Sequence, residues 1–122
     1  MIPDTIFHSK IIHGNKLGRT IGFPTLNLTK VDFDFKPGVY AVRVTLSGQI
    51  YPGVLYLGPR YILGETKTIC EIHLLAQISE VYGENIAFRL VGFIRAPKDF
   101  ANFQELQQQI STDIIQAKKL LA

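Results

Sequence analysis

The sequence predicts a mainly β fold, a closed antiparallel barrel that carries one C-terminal α-helix. Short segments of alternating apolar and polar residues, separated by Gly and Pro, recur through most of the chain, which is typical of all-β domains. The period changes near the C-terminus, where apolar residues recur at the spacing of an amphipathic helix. The length of 122 residues suits one domain, so we expect residues 1–122 to form a single unit.

Four segments have the alternation and the β-branched content of strands, and two more show it weakly. They are the strong segments 39–46, 49–57, 66–75 and 86–95 and the weak segments 6–13 and 25–28. Ser47-Gly48 predicts a hairpin turn between the first two strong strands. Pro52-Gly53 interrupts the second and predicts a bulge or an edge position there.

The C-terminal segment is predicted to be an amphipathic helix. Asn102 is a candidate N-cap, and Glu105 is its candidate partner in a capping box. Lys118 and Lys119 near the end suit the negative pole of the helix dipole. We expect the apolar stripe to pack on the outside of the barrel or to plug one end. The stripe consists of Leu106, Ile110, Ile114, Ala117 and Leu121.

Composition excludes several functional classes. The net charge is only +3 and the basic residues are scattered, whereas nucleic-acid binding favours a basic cluster. No apolar run approaches the roughly 20 residues that span a bilayer, and the N-terminus lacks the features of a secretory signal. Cys70 is the only cysteine, so we expect a buried thiol and no internal disulfide. We therefore expect a cytoplasmic monomer without nucleic-acid or membrane partners.

The segment from Gly14 to Asn27 is predicted to be a shaped loop that leads into a strand. Three glycines and a proline break regular structure, and glycines allow backbone N–H groups to approach an anion. Lys16 and Arg19 add positive charge. A P-loop is excluded, because Arg19 stands where that motif needs Lys and Pro24 opposes a helix directly after the loop. A surface loop with turn glycines remains the alternative.

Two pairs of polar residues have strand spacing, which places the members of each pair on one face. Thr25 and Asn27 offer hard oxygen ligands of the kind that suit Mg²⁺. Glu71 and His73 share a face of an apolar strand, where a carboxylate could accept a proton from a hydroxyl. The alternatives are turn or cap residues for the first pair and an ordinary polar face of a half-buried sheet for the second.

Arg95 and Phe100 lie where the last strand approaches the helix. A guanidinium and an aromatic side chain at such a junction could hold a planar ring. The alternative is a salt-bridged connection without a ligand.

Taken in order, these motifs resemble the riboflavin kinase (flavokinase) family. Residues 13–28 resemble its glycine-rich flap and the Pro-Thr-x-Asn motif that follows, and residues 71–75 resemble its glutamate strand. The resemblance runs from about Ile6 to Leu121 and covers the kinase domain alone, without the FMN adenylyltransferase domain of many bacterial relatives. One departure is clear. After Gly58 the family often has an Arg-Pro-Thr-aromatic run, whereas this chain has a match to the arginine alone in 59–63.

The resemblance implies a six-stranded antiparallel Greek-key barrel on which the final helix packs. It also implies an ATP:riboflavin 5′-phosphotransferase that uses Mg²⁺, or Zn²⁺ or Mn²⁺, and yields FMN and ADP. Glu71 would be the general base on the riboflavin 5′-hydroxyl. The nucleotide side would comprise Gly14, Arg19, Thr25, Asn27, His73 and Tyr82, with Thr25 and Asn27 also holding the metal, and the flavin side Arg95 and Phe100.

Two other functions stay open at this point. A non-catalytic module that binds a flavin or a nucleotide on the same barrel would have no need of Glu71. An oligonucleotide-binding barrel would need exposed aromatic residues along a basic groove, and the sequence offers neither clearly. A stand-alone enzyme that stops at FMN and an excised domain of a bifunctional protein both fit the sequence.

Overall fold

Six antiparallel strands close into a barrel in the computed structural model, which describes residues 2–12, 25–76 and 85–122. The strands follow the order β1-β2-β5-β4-β3-β6 around the barrel, and β6 pairs with β1 to close it. The predicted fold class is confirmed, with strand ends that shift by one or two residues. The elements are β1 (Ile6–Ile12), β2 (Thr25–Leu28), β3 (Gly38–Leu46), β4 (Gln49–Pro59), a 3₁₀ turn (Tyr61–Leu63), β5 (Thr68–Leu74), β6 (Asn85–Arg95) and α1 (Phe103–Leu121).

Alternation along the strands separates an apolar interior from an outer face. The interior residues are almost completely buried, and Cys70 among them is 1% exposed, as predicted. Burial raises the pKa of the Cys70 thiol, so the group stays protonated and unreactive. Phe33 and Phe35, from the β2–β3 connection, pack edge-on with Phe7 and Phe88 against this core. The largest fully buried side chains are Phe88, Leu55, Ile72, Leu74, Val42, Val44 and Cys70.

The bulge or edge position predicted at Pro52-Gly53 is wrong. Strand β4 runs through both residues in continuous register with β3, and a closed barrel has no edge strand. The carbonyl oxygen of Pro52 accepts a hydrogen bond from the Leu75 amide at 2.9 Å. The N–H and C=O groups of one strand residue point toward the same neighbouring strand. The N–H group that Pro52 lacks would therefore point toward β5 just beyond its last residue, Leu74. The ladder therefore loses little there.

Helix α1 packs on the outside of the barrel, the first of the two predicted positions, against β3, β4 and β6. Val39 and Ala41, on the outer face of β3, are buried in one apolar cluster with Ala117. Gly92 permits the close approach, because a Cβ atom there would lie 2.8 Å from Leu120 Cδ1. No helix in the described part of the chain is long and apolar enough to cross a membrane.

The predicted N-cap is confirmed, and the capping box differs by one residue. The Asn102 side chain accepts a hydrogen bond from the Glu105 amide at 2.9 Å. The Glu105 carboxylate accepts from the Ala101 amide at 3.3 Å rather than from Asn102. The first contact satisfies one of the amide groups that a helix start leaves without partners.

Candidate active site

The two polar pairs that the sequence singles out meet on the outer face of the barrel. Strands β2 and β5 are neighbours, with Thr25 opposite His73 and Asn27 opposite Glu71. Residues directly opposite each other in an antiparallel pair project their side chains to the same face. These four residues therefore form one polar patch, which we call the β2–β5 patch.

A row of residues connects this patch to the far side of the same face. Glu71 lies opposite Tyr56, Tyr56 opposite Val39, and Val39 opposite Arg95. Neighbouring strands are about 4.8 Å apart, so Glu71 and Arg95 stand roughly 14 Å from each other along the row. The row places the predicted catalytic base and the predicted flavin-side arginine at opposite ends of one surface.

A cavity of about 420 Å³ lies between this face and the N-terminal half of α1. Its size suits a small organic ligand. Five of the predicted site residues line it: Thr25, Glu71, His73, Arg95 and Phe100. The other lining residues are Val39, Val54, Tyr56, Pro59, Arg60, Tyr61, Ile62, Leu63, Lys98, Phe103, Leu106, Gln107, Ile110 and Asp113.

Large apolar side chains stand exposed along this cavity. Tyr61, Leu63 and Phe103 are 42%, 47% and 60% exposed, and they come from the 3₁₀ turn and the start of α1. Contiguous exposed apolar surface of this kind marks binding grooves in soluble proteins. In the sequence, residues 59–63 stand out only as a departure from the family pattern, and nothing in them predicts a wall of the cavity.

Arg60 is a further site residue, and its role was not predicted from the sequence. Its Nη2 atom donates to Asn27 Oδ1 at 2.9 Å and lies 3.6 Å from Glu71 Oε2. The side chains of Arg60 and Glu71 are 22% and 21% exposed. The available signal was its match to the family arginine after Gly58. Nothing local in the sequence joins Arg60 to residues on two other strands.

Among the residues that the structure describes, two buried polar atoms of the β2–β5 patch have no hydrogen-bond partner, Thr25 Oγ1 and Asn27 Nδ2. Buried polar groups are nearly always paired, because an unpaired one costs roughly 1–3 kcal/mol. These orphaned atoms indicate that the patch is built to contact a polar ligand.

The patch fits a divalent metal that brings its own anionic ligands. The described residues contain no group of three His, Cys, Asp or Glu side chains that could hold a metal. Thr25 offers an unpartnered hydroxyl oxygen and Asn27 an amide oxygen. Few neutral oxygen ligands are what Mg²⁺ accepts when water and phosphate oxygens complete its shell.

Tyr56 supports the floor of the cavity beside Glu71. Burial raises the pKa of Tyr56 to about 12, so the phenol remains protonated. Its hydroxyl donates to the carbonyl oxygen of Pro59, which ties the end of β4 to the outer face. This contact holds the residue that precedes Arg60.

Arg95 is held by a buried carboxylate on the helix. Its Nε and Nη2 atoms donate to Asp113 Oδ2 at 3.1 and 2.9 Å, and Asp113 is 3% exposed. Gln109 Nε2 also donates to this carboxylate, at 3.0 Å. The Arg95 guanidinium carbon lies 5.7 Å from the centre of the Phe100 ring. The salt bridge that was the alternative to a ligand site is therefore present. Arg95 also lies beside Phe100, the predicted flavin-side aromatic residue.

Three of the predicted nucleotide-binding residues, Gly14, Arg19 and Tyr82, lie outside the described residues. Their contacts stay predictions.

We expect His73 to make the stability of the protein depend on pH. Burial lowers the pKa of His73, and the nearby Glu71 and Asp113 carboxylates oppose this effect only in part. The unfolded chain therefore binds more protons than the folded one, and the free energy of unfolding should fall as the pH drops below about 6.5. Urea unfolding between pH 7.5 and 5.5 measures the slope.

His73→Gln should flatten that slope, whereas His8→Gln, at an exposed position on β1, should leave it unchanged. Equal slopes for the wild type and His73→Gln would contradict the assignment of the pH dependence to His73.

Comparison with known proteins identifies the family of the chain. The riboflavin kinase family model, Flavokinase, matches residues 3–121. A bifunctional riboflavin kinase/FMN adenylyltransferase of Haemophilus influenzae is 40% identical over 119 residues, which are 95% of this chain and 38% of that protein. The chain thus spans less than half the length of such curated relatives.

Solved structures share the fold. A protein from Streptococcus pneumoniae described as a macrolide-efflux protein has a TM-score of 0.76 and 27% identity, over 93% of this chain and 38% of that one. The riboflavin kinase of Trypanosoma brucei has a TM-score of 0.61 and 22% identity, over 95% of this chain and 78% of that one. Because the family model covers nearly the whole sequence, this chain belongs to the riboflavin kinase family.

Proposed function

We propose that this chain transfers the γ-phosphate of ATP to the 5′-hydroxyl of riboflavin and so yields FMN and ADP. The observation that carries the proposal is the polarity of the cavity. Apolar side chains line one part of it, and Thr25, Glu71 and His73 of the β2–β5 patch form a polar end with Arg60. Riboflavin has the same polarity, since a flat ring system carries a chain of hydroxyl groups.

The ring system fits the apolar part of the cavity. Val39, Val54 and Tyr56 form the floor, and Phe100 and Leu106 come from the helix side. Aromatic and aliphatic side chains around a planar ligand contribute mainly through buried area. Arg95 is a positioning residue in this arrangement, because Asp113 accepts from its Nε and Nη2 atoms while the guanidinium stays beside Phe100.

The hydroxyl chain would then point toward Glu71, the proposed general base. Its carboxylate lines the polar end of the cavity and lies beside Arg60 rather than in contact with another acid. Glu71 takes the proton of the 5′-hydroxyl as the oxygen attacks the γ-phosphorus, and ADP leaves. Phosphoryl transfer depends on this alignment and on charge neutralisation more than on covalent catalysis.

The nucleotide phosphates belong at the β2–β5 patch. Thr25 and Asn27 are the proposed metal ligands, and the two orphaned polar atoms support a polar ligand at this place. When bound, Mg²⁺ would offset negative charge on the phosphate oxygens. His73 is proposed beside the nucleotide as a neutral imidazole, and Gly14, Arg19 and Tyr82 are proposed to complete that side.

We expect Asn27→Ala to raise the KM for ATP by about tenfold or more, because it removes one of two metal ligands and an orphaned donor. Initial rates at saturating riboflavin over a range of ATP concentrations measure the effect. Asn85→Ala, at an exposed position at the start of β6, is the matched control and should leave the KM unchanged. A KM for ATP that does not move in Asn27→Ala would contradict the metal role.

The function itself is tested by incubating the protein with riboflavin, ATP and Mg²⁺ and separating the flavins by chromatography. FMN that appears only with nucleotide and metal present supports the kinase. Binding of riboflavin and ADP without any FMN, under every metal and nucleotide tried, would favour the non-catalytic binding module instead.

A further inference from the structure

Arg60 reaches both Asn27 and Glu71 with its side chain, at the polar end of the cavity. It follows the last residue of β4 and precedes the 3₁₀ turn, and its carbonyl oxygen accepts from the Leu63 amide at 3.0 Å. The backbone is thereby anchored, while the long side chain reaches across β5 to Asn27 on β2. Its contacts are not part of the barrel ladder, so they can change without disturbing the strands.

One nitrogen atom of Arg60 serves two residues with proposed roles. Nη2 donates to Asn27 Oδ1 at 2.9 Å and lies 3.6 Å from Glu71 Oε2. Both side chains of the ion pair are mostly buried, so solvent screens it less than a surface pair. The guanidinium therefore neutralises the carboxylate of the proposed base and engages the oxygen of a proposed metal ligand.

Arg60 also fixes the orientation of the Asn27 amide. A guanidinium only donates hydrogen bonds, so it requires the oxygen of Asn27 and not the nitrogen. As a result, Asn27 Nδ2 points away from Arg60, and within the described ranges neither this atom nor the neighbouring Thr25 Oγ1 has a hydrogen-bond partner. A phosphate oxygen could accept a hydrogen bond from Asn27 Nδ2, and a cation could bind Thr25 Oγ1.

We propose that Arg60 is an internal counter-cation that competes with the divalent metal for Asn27 and makes the site select the metal–nucleotide complex over the free metal ion. The inference rests on the proposed function, in that it takes Thr25 and Asn27 as the metal ligands. A free divalent cation near Asn27 Oδ1 meets the positive charge of Arg60 and offers that side chain no new partner. A metal–nucleotide complex brings phosphate oxygens, to which a guanidinium binds strongly.

The exchange gives Arg60 a second role as a positioning residue. When it turns from Asn27 and Glu71 to a phosphate oxygen, it releases the Glu71 carboxylate to accept the proton of the flavin hydroxyl. The base is therefore held in an ion pair until the nucleotide is present. One movement of the Arg60 side chain thus both selects the metal–nucleotide complex and releases Glu71.

The test measures binding rather than turnover. Free Mn²⁺ is titrated into the protein and followed by electron paramagnetic resonance, and ADP binding is measured by calorimetry at saturating Mn²⁺. For Arg60→Gln we expect at least about tenfold tighter binding of Mn²⁺ alone and about tenfold weaker binding of ADP with Mn²⁺, the size expected for hydrogen bonds to a charged group. Adding Asn27→Ala to Arg60→Gln should remove the gain for Mn²⁺.

Two controls separate this effect from a general loss of charge or of fold. Arg60→Lys keeps the charge and should stay within a few-fold of the wild type for Mn²⁺ alone. Lys67→Gln removes one positive charge from the exposed connection between β4 and β5 and should change neither affinity. Circular dichroism of each variant confirms the fold.

Unchanged or weaker Mn²⁺ binding in folded Arg60→Gln would overturn the proposal, and so would parallel changes of both affinities. The flavin assay on the wild type decides the proposed function separately. If FMN forms but Arg60→Gln does not change the affinities for Mn²⁺ alone and for ADP with Mn²⁺ in opposite directions, the proposed kinase activity is supported and the proposed role of Arg60 is wrong. If the affinities diverge but no FMN forms, the exchange at Arg60 stands without the kinase.

Discussion

Glu71→Gln is expected to lower kcat by about 10²- to 10⁴-fold, the usual contribution of a positioned general base. Glutamine keeps the size of the side chain and its place on β5 opposite Asn27, but it cannot accept the proton. Because the nucleotide is proposed to bind through Thr25 and Asn27, the KM for ATP should change by no more than a few-fold. Riboflavin titrations at saturating ATP, with FMN separated by chromatography, give kcat directly.

Glu65→Gln is the matched control for this variant. Glu65 lies in the connection that precedes β5 and does not line the cavity, so kcat should remain that of the wild type. Full turnover in Glu71→Gln would refute its role as the base. A large rise in KM for ATP with unchanged kcat would assign Glu71 to nucleotide binding instead.

The candidate site shows which part of a site a sequence can predict. Alternation along one strand predicts that Thr25 and Asn27 share a face, and that Glu71 and His73 do too. Their meeting depends on the pairing of β2 with β5, in which the paired residues lie more than forty positions apart in the sequence. No periodicity in either segment specifies that partner or its register. The resemblance to a family supplied what local patterns could not.

Two residues that organise the cavity were missed for related reasons. Asp113 falls on the apolar stripe of α1, between Ile110 and Ile114, where a carboxylate should have predicted a buried cation as its partner. Arg60 stands in an irregular turn, where side-chain direction follows from no regular period. Its reach to Asn27 and Glu71 exists only in the folded barrel.

The fold itself was predictable because local and long-range preferences agree. The strands alternate, turns contain glycine, and the helix carries its cap and its stripe, so each local choice supports the same architecture. The exception is Pro52, which reads as an edge signal but sits inside a closed barrel. Local chemistry cannot reveal that its missing N–H falls where the neighbouring strand has already ended.

Asp113→Ala is expected to destabilise the protein by about 3–5 kcal/mol, the cost of breaking a buried ion pair by removing one partner. The carboxylate is 3% exposed and receives hydrogen bonds from Arg95 and Gln109. Without it, a mostly buried guanidinium has lost its counter-charge at the interface between β6 and α1. Urea unfolding at neutral pH measures the loss as a lower midpoint.

The double variant Arg95→Met/Asp113→Leu should recover most of that stability, because it removes both charges and fills the space with apolar atoms. Asp4→Ala is the matched control. It breaks an ion pair with Arg89 in which the two side chains are 93% and 53% exposed, and such surface pairs contribute little. If Asp113→Ala and Asp4→Ala unfold at the same midpoint as the wild type, the Arg95–Asp113 pair does not hold the helix on the barrel. If Asp113→Ala alone is destabilised and the double variant recovers, the loss of stability is caused by the uncompensated charge of Arg95. The riboflavin affinity of the double variant then shows whether Arg95 also positions Phe100.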